Sequence, residues 1–122
     1  MTEIQCKNLD HADETRKFAA HGYAEFVTVG DITYSRGVFE PGWRWTHDVA
    51  PIMQLDRCPV HHKGVVLSGR MHIEYDDGTS IDMRAGDVVD IPPGHDAWVL
   101  GEDPCTFIDV SPDTERYAAP PR

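Results

Sequence analysis

The chain has 122 residues, 40% hydrophobic and 26% charged, which leaves room for one domain around one hydrophobic core. Its formal net charge of -10 argues against a nucleic-acid or anionic-membrane partner, since phosphate contacts need clustered Lys and Arg. No apolar run approaches the ~20 residues of a membrane helix. The start of the chain lacks the order of a secretory signal, and three cysteines are too few for a disulfide framework; a cytoplasmic protein with reduced thiols is expected.

In chain order, DHADETRKFAA (10–20) reads as a helix, with Asp10 or Asp13 capping it and Lys17 closing its last turn. The stretch AEFVTVGDITYSRGVFEPGWRWT reads as two or three strands, with a turn at Gly30-Asp31. GRMHIEYDDGTSIDMRAGD is the clearest hairpin. Met71, Ile73 and Tyr75 alternate with His72 and Glu74, Asp77-Gly78 supplies the positive φ angles of a tight turn, and Ile81 and Met83 resume the alternation. DVVDIP and AWVLGEDPCTFIDV give further strands, with Glu102, Asp103 and Pro104 as a loop. The ending SPDTERYAAPPR is polar and proline-rich and is expected to lie over the surface. Many short strands at regular spacing predict an all-β sandwich or barrel. It is expected to be a single domain over 1–122 with a barrel core of roughly 24–111, and the short N-terminal helix outside it.

The stretch CPVHHKGVVLSG (58–69) carries the first chemical signal, because thiolate and imidazole are the side chains that best bind soft and borderline metals. Consecutive side chains of a strand face opposite ways, so His61 is a rim or surface residue if His62 points inward. Cys6 and Cys105 have no ligand-type neighbours and read as inert thiols; His11, His21 and His72 read as packing or surface residues. No Ser-His-Asp pattern, phosphate loop or CxxC pair is present.

A second segment, GDVVDIPPGHDAW (86–98), has Gly86, five residues, Pro92, one residue, Gly94 and a nearby histidine. This resembles the second signature motif of the cupin family, small β-barrels of jelly-roll type. VVLSGRMHIEYDDG resembles the strand, glycine turn and strand that follow the family's first motif, and PGWRW, LSGRM and IPPGHDAW together resemble a branch of small cupins. The likeness spans roughly 36–110 and implies a cupin-type double-stranded β-helix. Aligned on Gly69, the family's first-motif ligand positions fall on Asp56, Cys58 and His62, where the family has His, His and Glu. In the second motif the family's histidine slot is Ala97, with His95 two residues earlier and on the same side of an extended chain.

The replacements are themselves competent ligands, so the resemblance implies a divalent metal on Cys58, His62 and His95. Zinc fits the N and S donors best and iron is second. Asp56 and His47 are candidates to complete the shell, Trp98 and Trp45 to line a ligand pocket, and Arg44 is by default an exposed arginine. Large aromatics such as Trp43 and Trp45 more often fill core. Metal binding needs neutral imidazoles, so it should weaken as pH falls toward ~6.5. The resemblance implies a small cupin barrel that binds a small organic ligand in its cavity with a divalent metal on this Cys/His site; the alternative is a metal-free small-molecule-binding or sensory cupin without catalytic activity. A homodimer is expected, because small barrels leave strand edges that pairing covers.

Overall fold

A computed structural model describes residues 2–121. Nine strands form two antiparallel sheets: β1 (Glu14–Lys17), β2 (Gly22–Val29), β3 (Ile32–Phe39), β4 (His62–Ser68), β5 (Arg70–Tyr75), β6 (Ser80–Arg84), β7 (Val88–Ile91), β8 (His95–Leu100) and β9 (Cys105–Asp109). The six-stranded sheet has the order β1-β2-β3-β9-β4-β7, and the three-stranded sheet the order β6-β5-β8. The expected two-sheet jelly roll is what the chain forms. Inward positions alternate with outward ones, so Met71 and Ile73 face Phe26, Phe39, Val66 and Phe107 across one core.

The hairpins follow their turn residues. Ile73 pairs with Ile81 and Met71 with Met83 across the Asp77-Gly78 turn, and Gly78 has φ +91°. Gly64 is required for another reason: a Cβ there would lie 1.8 Å from the Ile108 carbonyl oxygen on the neighbouring strand.

Three expectations are corrected. The helix over 10–20 does not form. A 3-10 turn, Leu9–His11, starts after Asn8, whose side chain accepts from the Asp10 amide, and Glu14–Lys17 then pairs with Tyr23–Phe26. The stretch has no apolar stripe, so a helix would have had nothing to bury, whereas β1 places the Arg16 guanidinium 4.2 Å over the Phe26 ring. Second, the GWRW region is not a strand. It leads into two one-turn helices, α1 (Trp45–Asp48) and α2 (Ala50–Met53), the second begun by Pro51.

Third, the C-terminal segment is a strap rather than a surface tail. A 3-10 turn at Thr114–Arg116 turns Tyr117 and Ala118 into the core. Arg16 holds the strap in place, donating to the carbonyls of Glu115 (2.7 Å) and Tyr117 (2.6 Å). No helix is long and apolar enough to cross a membrane among the described residues.

Candidate metal and ligand site

His62 opens β4 and His95 opens β8, so the two imidazoles come from different sheets and meet in the barrel with ring centroids 5.2 Å apart. Cys58 lies between α2 and β4. It is fixed by two backbone hydrogen bonds to the turn before β8: its N–H donates to the His95 carbonyl (3.0 Å), and its carbonyl accepts from Gly94 (2.7 Å). The Cys58 sulfur and one nitrogen of each histidine lie within 4.8 Å of one another, all three residues buried. Cys58 Sγ is 3.5 Å from His62 Nε2.

Each ring is oriented by its other nitrogen. His62 Nδ1 is 2.5 Å from the Asp109 carboxylate, and His95 Nδ1 is 3.0 Å from the Pro92 carbonyl. A backbone carbonyl can only accept, so His95 Nδ1 donates to it and Nε2 is the nitrogen left toward the site. Asp109, whose other oxygen accepts from the Ser111 amide (2.9 Å) and the Thr114 hydroxyl (2.8 Å), anchors the His62 ring through Nδ1 and leaves Nε2 toward Cys58. Carboxylate and carbonyl partners of this kind hold ligating histidines in metal sites.

Burial alone would push the Cys58 thiol up, but the charge and hydrogen bond of His62, aided by His95, lower it to about 6. Burial would likewise lower His62, yet the Cys58 charge and the hydrogen bond to Asp109 raise it to about 10. Both shifts run in the direction that favours a thiolate beside an imidazolium when no metal is bound. Burial also opposes ionisation of Asp109, and the hydrogen bond and charge of His62 outweigh it and hold that carboxyl below its ordinary value of 3.8. Cys105, buried with no such partner, is pushed up to about 11, which agrees with an inert thiol.

His62 and His95, but not Cys58, border a cavity of about 40 Å³ whose wall includes Trp43, Trp45, Met71, Phe107, Asp109 and Tyr117. A water needs ~10–15 Å³ of such space, and a dry cavity of ~150 Å³ takes a benzene, so this one accepts a molecule of a few heavy atoms. Of the pocket residues expected from sequence, Trp45 lines it. Trp98 does not: His95 and Ala97 face inward, so position 98 faces out, where its ring stacks on His72 (4.5 Å) and lies 4.6 Å from the Arg44 guanidinium. Arg44 pairs with Asp96 at 2.8 Å. His47 and Asp56 are exposed and neither lines the cavity. His61 points away from His62, toward Asp90 (2.5 Å).

Asp109 and Tyr117 carried no sequence signal. Each is brought to the site by long-range packing, Asp109 from 47 residues beyond His62.

No family model and no curated relative matches this chain in sequence. Solved structures do match it. An uncharacterised conserved protein with a double-stranded β-helix domain from Klebsiella pneumoniae is 20% identical with a TM-score of 0.58, covering 91% of this chain and 92% of that one. A Cupin 2 conserved barrel domain protein from Salinispora arenicola is 19% identical with a TM-score of 0.59, over 89% and 88%. A protein described as a sugar phosphate isomerase from a cupin superfamily, from Silicibacter pomeroyi, is 17% identical with a TM-score of 0.58, over 87% and 74%. The likeness establishes the cupin-type double-stranded β-helix fold.

Proposed function

We propose that the barrel binds a divalent metal on Cys58, His62 and His95 and, beside it, a small molecule of a few heavy atoms. The observation that carries this reading is the convergence of one sulfur and two oriented imidazoles within 4.8 Å in a buried site. The donor set passes a simple fit test. A tetrahedral ion bonded at ~2.3 Å to sulfur and ~2.0 Å to nitrogen holds those donors about 3.5 Å apart, and Cys58 Sγ and His62 Nε2 are 3.5 Å apart. Thiolate and imidazole favour zinc, then iron. When bound, such an ion would supply Lewis-acid polarisation of an oxygen-bearing ligand. The chain's own residues do the rest: Asp109 and the Pro92 carbonyl orient the imidazoles, and the apolar wall and Tyr117 limit access of water.

The same 3.5 Å separation suits a metal-free thiolate–imidazolium pair, which favours the second reading, a metal-free ligand-binding module. Elemental analysis of protein purified without a metal-affinity tag separates the two. One ion per chain, lost in His62→Ala, supports the first. No metal, no uptake of added zinc or iron, and identical melting with and without chelator would leave the module.

Assembly as a homodimer belongs to the same proposal. It is supported by β7, an edge strand of the larger sheet, and by the exposed apolar side chains of Leu67, Val88 and Val110 on and beside its neighbour β4.

A further inference from the structure

The cavity wall carries two donors that have no partner. Trp43 and Trp45 are 2% and 1% exposed, both rings line the cavity, and both indole N–H groups are buried without a hydrogen-bond partner. A buried donor left unpaired costs about 1–3 kcal/mol, and two beside one cavity call for an occupant that accepts from them. The acceptor nearest the site, the Asp109 carboxylate, is already engaged by His62, Ser111 and Thr114. Large aromatics such as these are expected to fill core, and both are buried; their unpaired N–H groups are what packing alone leaves unexplained.

We infer that the indole N–H groups of Trp43 and Trp45 form an acceptor-recognising wall, selecting for the cavity a small oxyanion of the size and chemistry of formate or nitrite. This rests on the reading of the cavity as a binding site and names the class of its ligand. An apolar molecule of the same size leaves both donors unpaired. Size favours an occupant of a few heavy atoms, since the cavity is about 40 Å³.

The test follows the indole Nε1–H resonances of ¹⁵N-labelled protein during titration with formate and with nitrite, in zinc-loaded and metal-free samples whose metal content is measured in parallel. Trp98, on the outer face against His72 and Arg44, is the internal control. Two indole resonances should shift saturably while that of Trp98 stays. Trp43→Phe and Trp45→Phe, which keep a ring and remove the N–H, should each weaken binding about tenfold. The titrations are repeated on Arg16→Ala, which removes the strap's two carbonyl contacts, so that slow entry is not taken for lack of binding. Absence of any response in both wild type and Arg16→Ala, or equal binding by both Phe variants, overturns the inference and leaves buried water as the partner. Metal content separates this from the reading above. A loaded protein whose indoles ignore both anions refutes the inference alone, and a metal-free protein whose indoles respond refutes the metal alone.

Discussion

Metal uptake should release one proton from His62, and release it well above the usual range of histidine. In the metal-free protein the Cys58 thiol is lowered to about 6 and His62 raised to about 10, so between those limits the pair holds a single proton, on the imidazole. A bound ion needs both donors deprotonated, and that proton must leave. Apparent affinity then rises tenfold per pH unit, or ~1.4 kcal/mol per unit, across this window, about a hundredfold from pH 7 to pH 9. This replaces the expectation of a fall only near ~6.5, which treated the imidazoles as unperturbed. Two measurements near pH 8 test it together. Far-ultraviolet thiolate absorbance of metal-free protein, against Cys58→Ser, reports the sulfur. Zinc-binding calorimetry in buffers of different ionisation enthalpy counts protons. We expect thiolate absorbance before metal is added and one proton released on binding. A released proton without prior absorbance means a neutral thiol. Absorbance with no proton released means a neutral His62. Either result refutes the coupled pair.

The other predictions are briefer. Asp109→Asn should cut metal affinity about 10- to 100-fold in chelator competition, because His62 loses the carboxylate that fixes its orientation. Since the Asp109 carboxyl is held below its ordinary 3.8, its stabilising contribution is present above that value and lost as pH falls below it; acid unfolding of the metal-free wild type should show this component and Asp109→Asn should lack it. Gly64→Ala should cost at least ~2 kcal/mol in denaturant unfolding, as its Cβ would lie 1.8 Å from the Ile108 carbonyl oxygen. Light scattering should give twice the chain mass at micromolar concentration, and Val88→Glu on the exposed edge strand should shift it toward the monomer.

Where the fold was legible, the determinant was local. Met71, Ile73, Ile81 and Met83 alternate on either side of Asp77-Gly78, so period and turn chemistry agree within fifteen residues, and the hairpin follows. Where it was not, a distant partner decided. Residues 14–17 have acceptable helix formers, but β2 offers them a ladder, and nothing in the stretch itself reveals that offer. The strap was concealed by its composition: one tyrosine among polar and proline residues decides where it goes, and its partners Phe18, Phe39 and His62 are far away in sequence. The convergence of Cys58, His62 and His95 could be read only through the resemblance to the cupin motifs, which aligns Cys58 and His62 on Gly69 and sets His95 beside Gly94. Trp98 was separable too, since positions 95 and 98 have opposite parity along β8 and cannot both face the cavity.

The placement of the donors ties the site to the stability of the barrel. Cys58 belongs to the loop before β4, His62 to the larger sheet and His95 to the smaller one, so an ion on all three would cross-link the sandwich at its mouth. At a thousand-fold excess over its dissociation constant, such a ligand adds ~4 kcal/mol to the folded state, a large part of what a domain this size possesses. Asp109 extends the linkage to the strap, because one of its oxygens meets His62 and the other receives Ser111 and Thr114 at the strap's base. Metal binding would remove the proton from His62 and replace an imidazolium beside that carboxylate with an imidazole bound to a dication. The carboxylate would keep a cationic partner in both states, so its bonds to Ser111 and Thr114 need not change when a proton is exchanged for an ion.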